Sequence, residues 1–176
     1  MTTIKIFLAS SCELAYERMI IGDKIRQSDD KWRVKGVRLQ LMVWEDYRPE
    51  FLGVRTQTEY DEYLVNESQI VIGLFKNRCG KYTQEEIVLA KRNNSENLHV
   101  FTLPADDGIN LVSDFLIKES IVAIKCSDID HVCSEVRNVI EDYIAKNECD
   151  NVMSANSSLS TDQIYATIGA DIPKRS

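Results

Sequence analysis

The segment Gln69-Ile70-Val71-Ile72-Gly73-Leu74-Phe75 is apolar almost without interruption, and it breaks sharply at Lys76-Asn77-Arg78-Cys79-Gly80-Lys81. It is far too short to span a membrane, and it lacks the polar alternation of a strand with one wet face. It reads as a strand covered on both sides, the kind that sits in the middle of a parallel sheet. Parallel neighbours need crossover connections, so the flanking chain should alternate strand and helix.

The flanking chain has that pattern. Ile4 to Ala9 is a second short apolar run, closed by Ser10-Ser11, and Ser10 with Glu13 fits a capping box for a helix from about Glu13 to Gln27. Leu14, Ile21 and Ile25 form its inward stripe, and the polar Ser28-Asp29-Asp30-Lys31 stretch is expected to end it. Val37 to Trp44 alternates at its start, as a strand near a sheet edge does. Glu45 to Arg55, with Pro49 and Gly53, reads as a loop, and Thr56 to Asn66 as a helix through Tyr60, Tyr63 and Leu64.

Beyond the central strand, the pattern predicts a helix over Tyr82 to Asn93, a strand over Leu98 to Leu103 closed by Pro104, and a short helix over Asn110 to Lys118. A last strand over Ile121 to Lys125 follows. Val132, Val136, Val139, Ile140, Tyr143 and Ile144 then mark a helix expected to end near Lys146. Right-handed crossovers turn this order into an α/β fold: a flavodoxin-like, five-stranded parallel sheet in the order 2-1-3-4-5, with helices on both faces. Its switch point lies between the first and third strands, and ligands bind in the crevice outside the carboxyl ends of those strands. Residues 1–147 make up this domain. Residues 148–176 read as a polar linker or tail leading towards a further domain, with a brief helix at Thr161 to Ile168.

With 176 residues and 44% apolar content the chain can build a core of this size. It has no apolar run long enough for a membrane span and no secretory leader, which predicts a cytoplasmic protein with no membrane partner. The net charge of -7 argues against direct nucleic-acid binding, which needs a basic face. Five scattered cysteines and two histidines show no metal-ligand spacing, so no metal is expected and the thiols read as reduced.

No glycine-rich nucleotide fingerprint, P-loop, nucleophile elbow or zinc-protease motif occurs. His131 and Cys133 could be imagined as a nucleophile pair, but their spacing puts them on different helix faces. What remains is Glu86, on the first turn of the helix that follows the central strand. Thr83 to Glu86 also fits a capping box, so the motif by itself leaves a structural and a catalytic role open. Tyr82 and Trp44 can stack on a ring or simply pack. Lys76, Arg78 and Lys81 are either a solvated turn or an anion site.

Ile6 to Ser11, the second strand ending in Trp44, and above all Ser68 to Phe75 followed by Gly80 to Ile87, resemble the TIR (Toll/interleukin-1 receptor) superfamily. The closest flavour is the bacterial TIR-like domains at the N-terminus of multidomain, often defence-related proteins. The resemblance implies an NAD+ hydrolase that cleaves the nicotinamide–ribose bond, gives ADP-ribose or a cyclic ADP-ribose, and needs no cofactor. It places Glu86, followed by Ile87, in the catalytic position, and Tyr82 at an aromatic position four residues earlier. Ser10 and Ser11 match small polar residues lining the nucleotide pocket; Trp44, Lys76 and Arg78 complete the expected binding set. The loop 45–55 resembles an assembly loop, implying a homo-oligomer activated by self-association. Two alternatives stand beside this reading: a non-catalytic TIR assembly module, and a nucleoside deoxyribosyltransferase-like enzyme, for which Ser10-Ser11-Cys12-Glu13 supplies few base-reading groups.

Overall fold

The computed structural model describes residues 1–43, 65–106 and 111–157. Five strands form one sheet: β1 (Thr2–Ser10), β2 (Val37–Met42), β3 (Ile70–Phe75), β4 (Leu98–Thr102) and β5 (Ala123–Lys125). Their order is β2-β1-β3-β4-β5, and every pair is parallel. The predicted flavodoxin-like α/β topology is therefore the observed one, with β3 in the middle and every residue of it buried. The helices are α1 (Ala15–Arg33), α2 (Lys81–Asn93), α3 (Leu111–Lys118) and α4 (Ile129–Ser157).

Strand alternation places the helices on opposite faces. Phe7 pairs with Met42 and Ala9 with Gly73, and these residues share one core with Val71, Phe75, Ile87, Ala90, Val112 and Phe115, which brings α2 and α3 to that face. Ile6 and its partner Leu41 point the other way, and Gly22 of α1 lies close enough that an added Cβ would meet Leu41 Cδ2 at 3.2 Å. Both faces are dry, since Ile6, Phe7 and Leu8 are all fully buried. Gly73 has its own reason to be glycine: a Cβ there would stand 2.6 Å from Ile87 Cδ1, so its absence lets α2 settle on β3.

Several boundaries differ from the sequence expectation. The Ser28 to Lys31 stretch does not end α1, because its polar groups have partners within the fold. Ser28 Oγ donates to the Lys24 carbonyl, and buried Asp29 accepts from Leu39 N–H of β2 and from Arg33 Nε, each at 2.6 Å. The chain turns instead at Gly36, whose φ of 78° lies in the left-handed region that glycine enters freely. The last helix continues past Lys146 to Ser157, since the Asn- and Ser-containing stretch holds neither Gly nor Pro to stop it.

The chain divides into two compact units, Met1–Asn138 and Val139–Ser176, and the site below lies in the first. The turn Val65–Glu67 is helical, while the rest of the helix expected over 56–66, the loop 45–55 and the helix expected at 161–168 lie outside the described residues. Among the described residues no helix is long and apolar enough to cross a membrane.

Candidate active site

The carboxyl ends of β1 and β3 lie side by side, Ser10 in register with Leu74. Beyond them the two following turns touch, since a Cβ on Gly80 would sit 3.9 Å from Ser11 Cβ and 3.7 Å from Thr83 Oγ1. This contact places Ser10-Ser11 and the start of α2 at the switch point, as the strand order requires.

Neither expected capping box forms. The residue before the first turn of α2 is Gly80, with no side-chain cap, and Gln84 N–H makes the first helical bond to the Gly80 carbonyl at 3.0 Å. Thr83 is thus already inside the helix, and Glu86 belongs to the second turn, not the first. Gln84 Nε2 donates to the Cys79 carbonyl at 2.9 Å, a backward bond that steadies the turn. Thr83, Glu86, Ile87 and Ala90 form the buried stripe of α2, while Glu85 next door is exposed and 3.8 Å from Lys81.

Glu86 retains only 5% of its surface, and it is engaged within the fold. It follows Thr83 on the same buried stripe of α2 and precedes Ile87, whose Cδ1 lies over Gly73. Burying a carboxylate is costly without strong partners, so a position where leucine would pack without that cost marks a departure from plain core logic.

Ser10 and Ser11 are buried as well, and two residues outside the expected binding set hold them. Arg18, buried on α1, donates from Nη1 to Ser10 Oγ at 2.7 Å and to the Ser11 carbonyl at 2.9 Å. Its signal in the sequence is an arginine on an apolar stripe, between Leu14 and Ile21. Glu13 is the other. Ser11 Oγ donates to Glu13 Oε1 at 3.2 Å, and that oxygen also accepts the backbone N–H of Asn77 at 3.1 Å and of Arg78 at 2.9 Å. Glu13 therefore turns away from its own helix start and ties the turn after β1 to the turn after β3.

The basic turn is anchored on its far side too. Lys76 Nζ lies 2.7 Å from Asp106 Oδ1, and Asn77 and Asp106 exchange two hydrogen bonds of 2.8 Å each. The ammonium–carboxylate hydrogen bond raises the Lys76 pKa and lowers that of Asp106, so both stay charged. Arg78 is exposed, and its guanidinium has no ion pair among the described residues. Tyr82 stands at the rim, 55% exposed, one helical turn before Glu86. Trp44 lies outside the described residues.

His131 and Cys133 separate as expected, the histidine exposed and the thiol buried, with burial raising the Cys133 pKa. Burial of Cys79 in the β3–α2 turn pushes its pKa up to about 11 against a weaker opposing hydrogen bond with Gln84. Cys12, Cys79, Cys126 and Cys133 are free thiols. Among the described residues no group of three His, Cys, Asp or Glu side chains is placed to hold a metal ion.

The arrangement defines a flavodoxin-like α/β protein in which two buried serines and a laced basic turn meet at the β1/β3 switch point, with buried Glu86 on the helix that follows β3. No protein-family model matches the chain, and no curated protein matches it. Among solved structures it is similar to the metal-soaked Flv1 flavodiiron core of Synechocystis sp., with 11% identity and a TM-score of 0.48 over 85% of this chain. The chain spans 36% of that protein's length. It is also similar to the CMP N-glycosidase BcmB of Clostridium botulinum, with 15% identity and a TM-score of 0.43, over 76% of this chain and 98% of that one.

Proposed function

We propose that the chain is a TIR-like NAD+ glycohydrolase in which Glu86 acts on the nicotinamide–ribose bond. The observation that carries this reading is the burial of Glu86 on α2, the helix that follows β3 at the switch point. As nicotinamide leaves, positive charge develops on the ribose, and a carboxylate fixed in a dry site stabilises that oxocarbenium-like state. Water then attacks to give ADP-ribose; attack by a hydroxyl of the same nucleotide gives a cyclic product. Ser10 and Ser11 line the nucleotide side, Lys76 and Arg78 face the pyrophosphate, and Tyr82 offers its ring at the rim. Self-association, in a bacterial defence or signalling setting, raises the activity.

The test is nicotinamide release from NAD+ by the full chain across a range of protein concentrations, beside Glu86→Gln. Release that rises faster than protein concentration and disappears in the variant supports the proposal. Equal release by both proteins overturns the assignment of Glu86. A nucleoside monophosphate and a deoxynucleoside run in parallel separate NAD+ cleavage from other N-glycosidic chemistry.

One observation favours a second reading, an assembly module without catalysis. The edge strand β5 has Ile124 exposed at 41% and is preceded by Val122 at 91%, with Ile117 of α3 also exposed. Apolar side chains on a sheet edge suit pairing with another chain. Light scattering that finds a concentration-dependent oligomer, together with no nicotinamide release at any concentration, selects this reading.

A further inference from the structure

The two consecutive N–H groups of Asn77 and Arg78 converge on one oxygen, and that oxygen belongs to a carboxylate from another part of the chain. Paired backbone donors in a turn form a cradle for anions, and the same geometry that suits a carboxylate suits a phosphate. This cradle lies beyond the carboxyl end of β3, in the turn that also carries the Lys76 ammonium and the exposed Arg78 side chain. We infer that the Asn77–Arg78 turn is a phosphate-binding cradle that Glu13 occupies as a built-in competing anion, so that a nucleotide phosphate binds by displacing the Glu13 carboxylate.

Charge supports a competitor over a neutral strut. The carboxylates of Glu13, Glu17 and Asp106 all act on Lys76. With Glu13 seated, both N–H donors of the turn are filled, and the seated carboxylate itself opposes an incoming anion. With Glu13 swung out, two N–H donors and the Arg78 fork face the incoming phosphate. Ser11 Oγ, released from Glu13 in the same movement, becomes a third donor for it.

The inference rests on the phosphate half of the proposed function and not on the chemistry of Glu86. Inorganic pyrophosphate and ADP-ribose are therefore the probes, titrated calorimetrically at low salt into the wild-type chain, Glu13→Gln and Glu17→Gln. Glutamine keeps an acceptor oxygen for both N–H groups, so the turn keeps its shape, but the neutral bond is about half as strong and yields more readily. Glu13→Gln is expected to bind pyrophosphate about tenfold more tightly than wild type, a change near that of one charge-assisted hydrogen bond. Glu17→Gln removes the same charge without vacating the cradle and is expected to change affinity by no more than about threefold.

Amide resonances of Asn77 and Arg78 should shift on saturation in both wild type and Glu13→Gln. Equal gains in the two variants, no gain in Glu13→Gln, or unmoved Asn77 and Arg78 amides overturn the inference. ADP-ribose binding more tightly than pyrophosphate assigns the cradle to a nucleotide; equal affinity assigns it to free anion and overturns that part. Nicotinamide release is read separately, so failure of the Glu86 assignment leaves this result intact.

Discussion

Arg18 donates from Nη1 to the Ser10 hydroxyl at 2.7 Å, across eight residues of chain, with both side chains buried. The same nitrogen reaches the Ser11 carbonyl, so one guanidinium on α1 shapes the turn that leaves β1. Arg18→Ala leaves a buried hydroxyl and a buried carbonyl without that donor. The expected loss is about 3 kcal/mol in urea unfolding. Arg18→Lys retains charge and a donor but not the reach and planar geometry of the guanidinium, and should fall between wild type and Arg18→Ala. An unchanged midpoint in Arg18→Ala would show that the turn is held by other groups.

Glu85 and Glu86 are neighbours with opposite surroundings, which makes them a paired experiment. Glu85 is exposed and only 3.8 Å from Lys81, so Glu85→Gln should alter stability by less than about 0.5 kcal/mol. Its nicotinamide release should stay within about twofold of wild type, whereas Glu86→Gln should lose at least about 100-fold in turnover. The reverse ranking would move the catalytic role to Glu85.

The sheet was readable because β1, β3 and β4 are short, largely apolar runs and α1, α2 and α3 each lead from one strand to the next, features that local sequence carries. The site was readable only in part. Two stretches, Ser10 to Glu13 and Thr83 to Glu86, match a capping box, yet the observed caps are Ser11 and Gly80, and neither makes a side-chain cap bond. Glu13 finds its donors 64 and 65 residues away, on Asn77 and Arg78, and no spacing rule links residues that the sheet brings together. Asp29 shows the same limit: its polarity suggested a helix end, but the Leu39 N–H it accepts belongs to β2. Arg18 could have been noticed, because an arginine on an apolar stripe needs buried acceptors.

The contact between Gly73 and Ile87 predicts a coupled pair. Gly73→Ala pushes a methyl to within 2.6 Å of Ile87 Cδ1, and Val100 Cγ2, 3.4 Å away, limits the room to shift. Overpacking of this kind should cost about 1–3 kcal/mol. Ile87→Val alone should cost about 1 kcal/mol by leaving a small void. The double variant should be more stable than the sum of the two losses predicts, because the methyl removed is the one that clashes. Additive losses in denaturant melts would mean that the strain lies elsewhere.

The Cys79 thiol predicts a stability loss at high pH. Its ordinary pKa is 9.0, and burial in the β3–α2 turn raises it to about 11, so the folded chain holds a proton that the unfolded chain releases. Below pH 9 both states are protonated and the group has no effect on stability. Between pH 9 and 11 the unfolded state is favoured progressively, so the unfolding free energy should fall across that window. Cys126 and Cys133 are raised in the same direction, again by burial first, so Cys79→Ser should flatten the fall without abolishing it. Alkylation provides a second measure: at pH 8 exposed Cys12 should react well before Cys79, since the thiolate is the nucleophile and burial suppresses it. Peptide mapping that finds Cys79 modified as fast as Cys12 would place its thiol in solvent and remove the reason for the pH dependence.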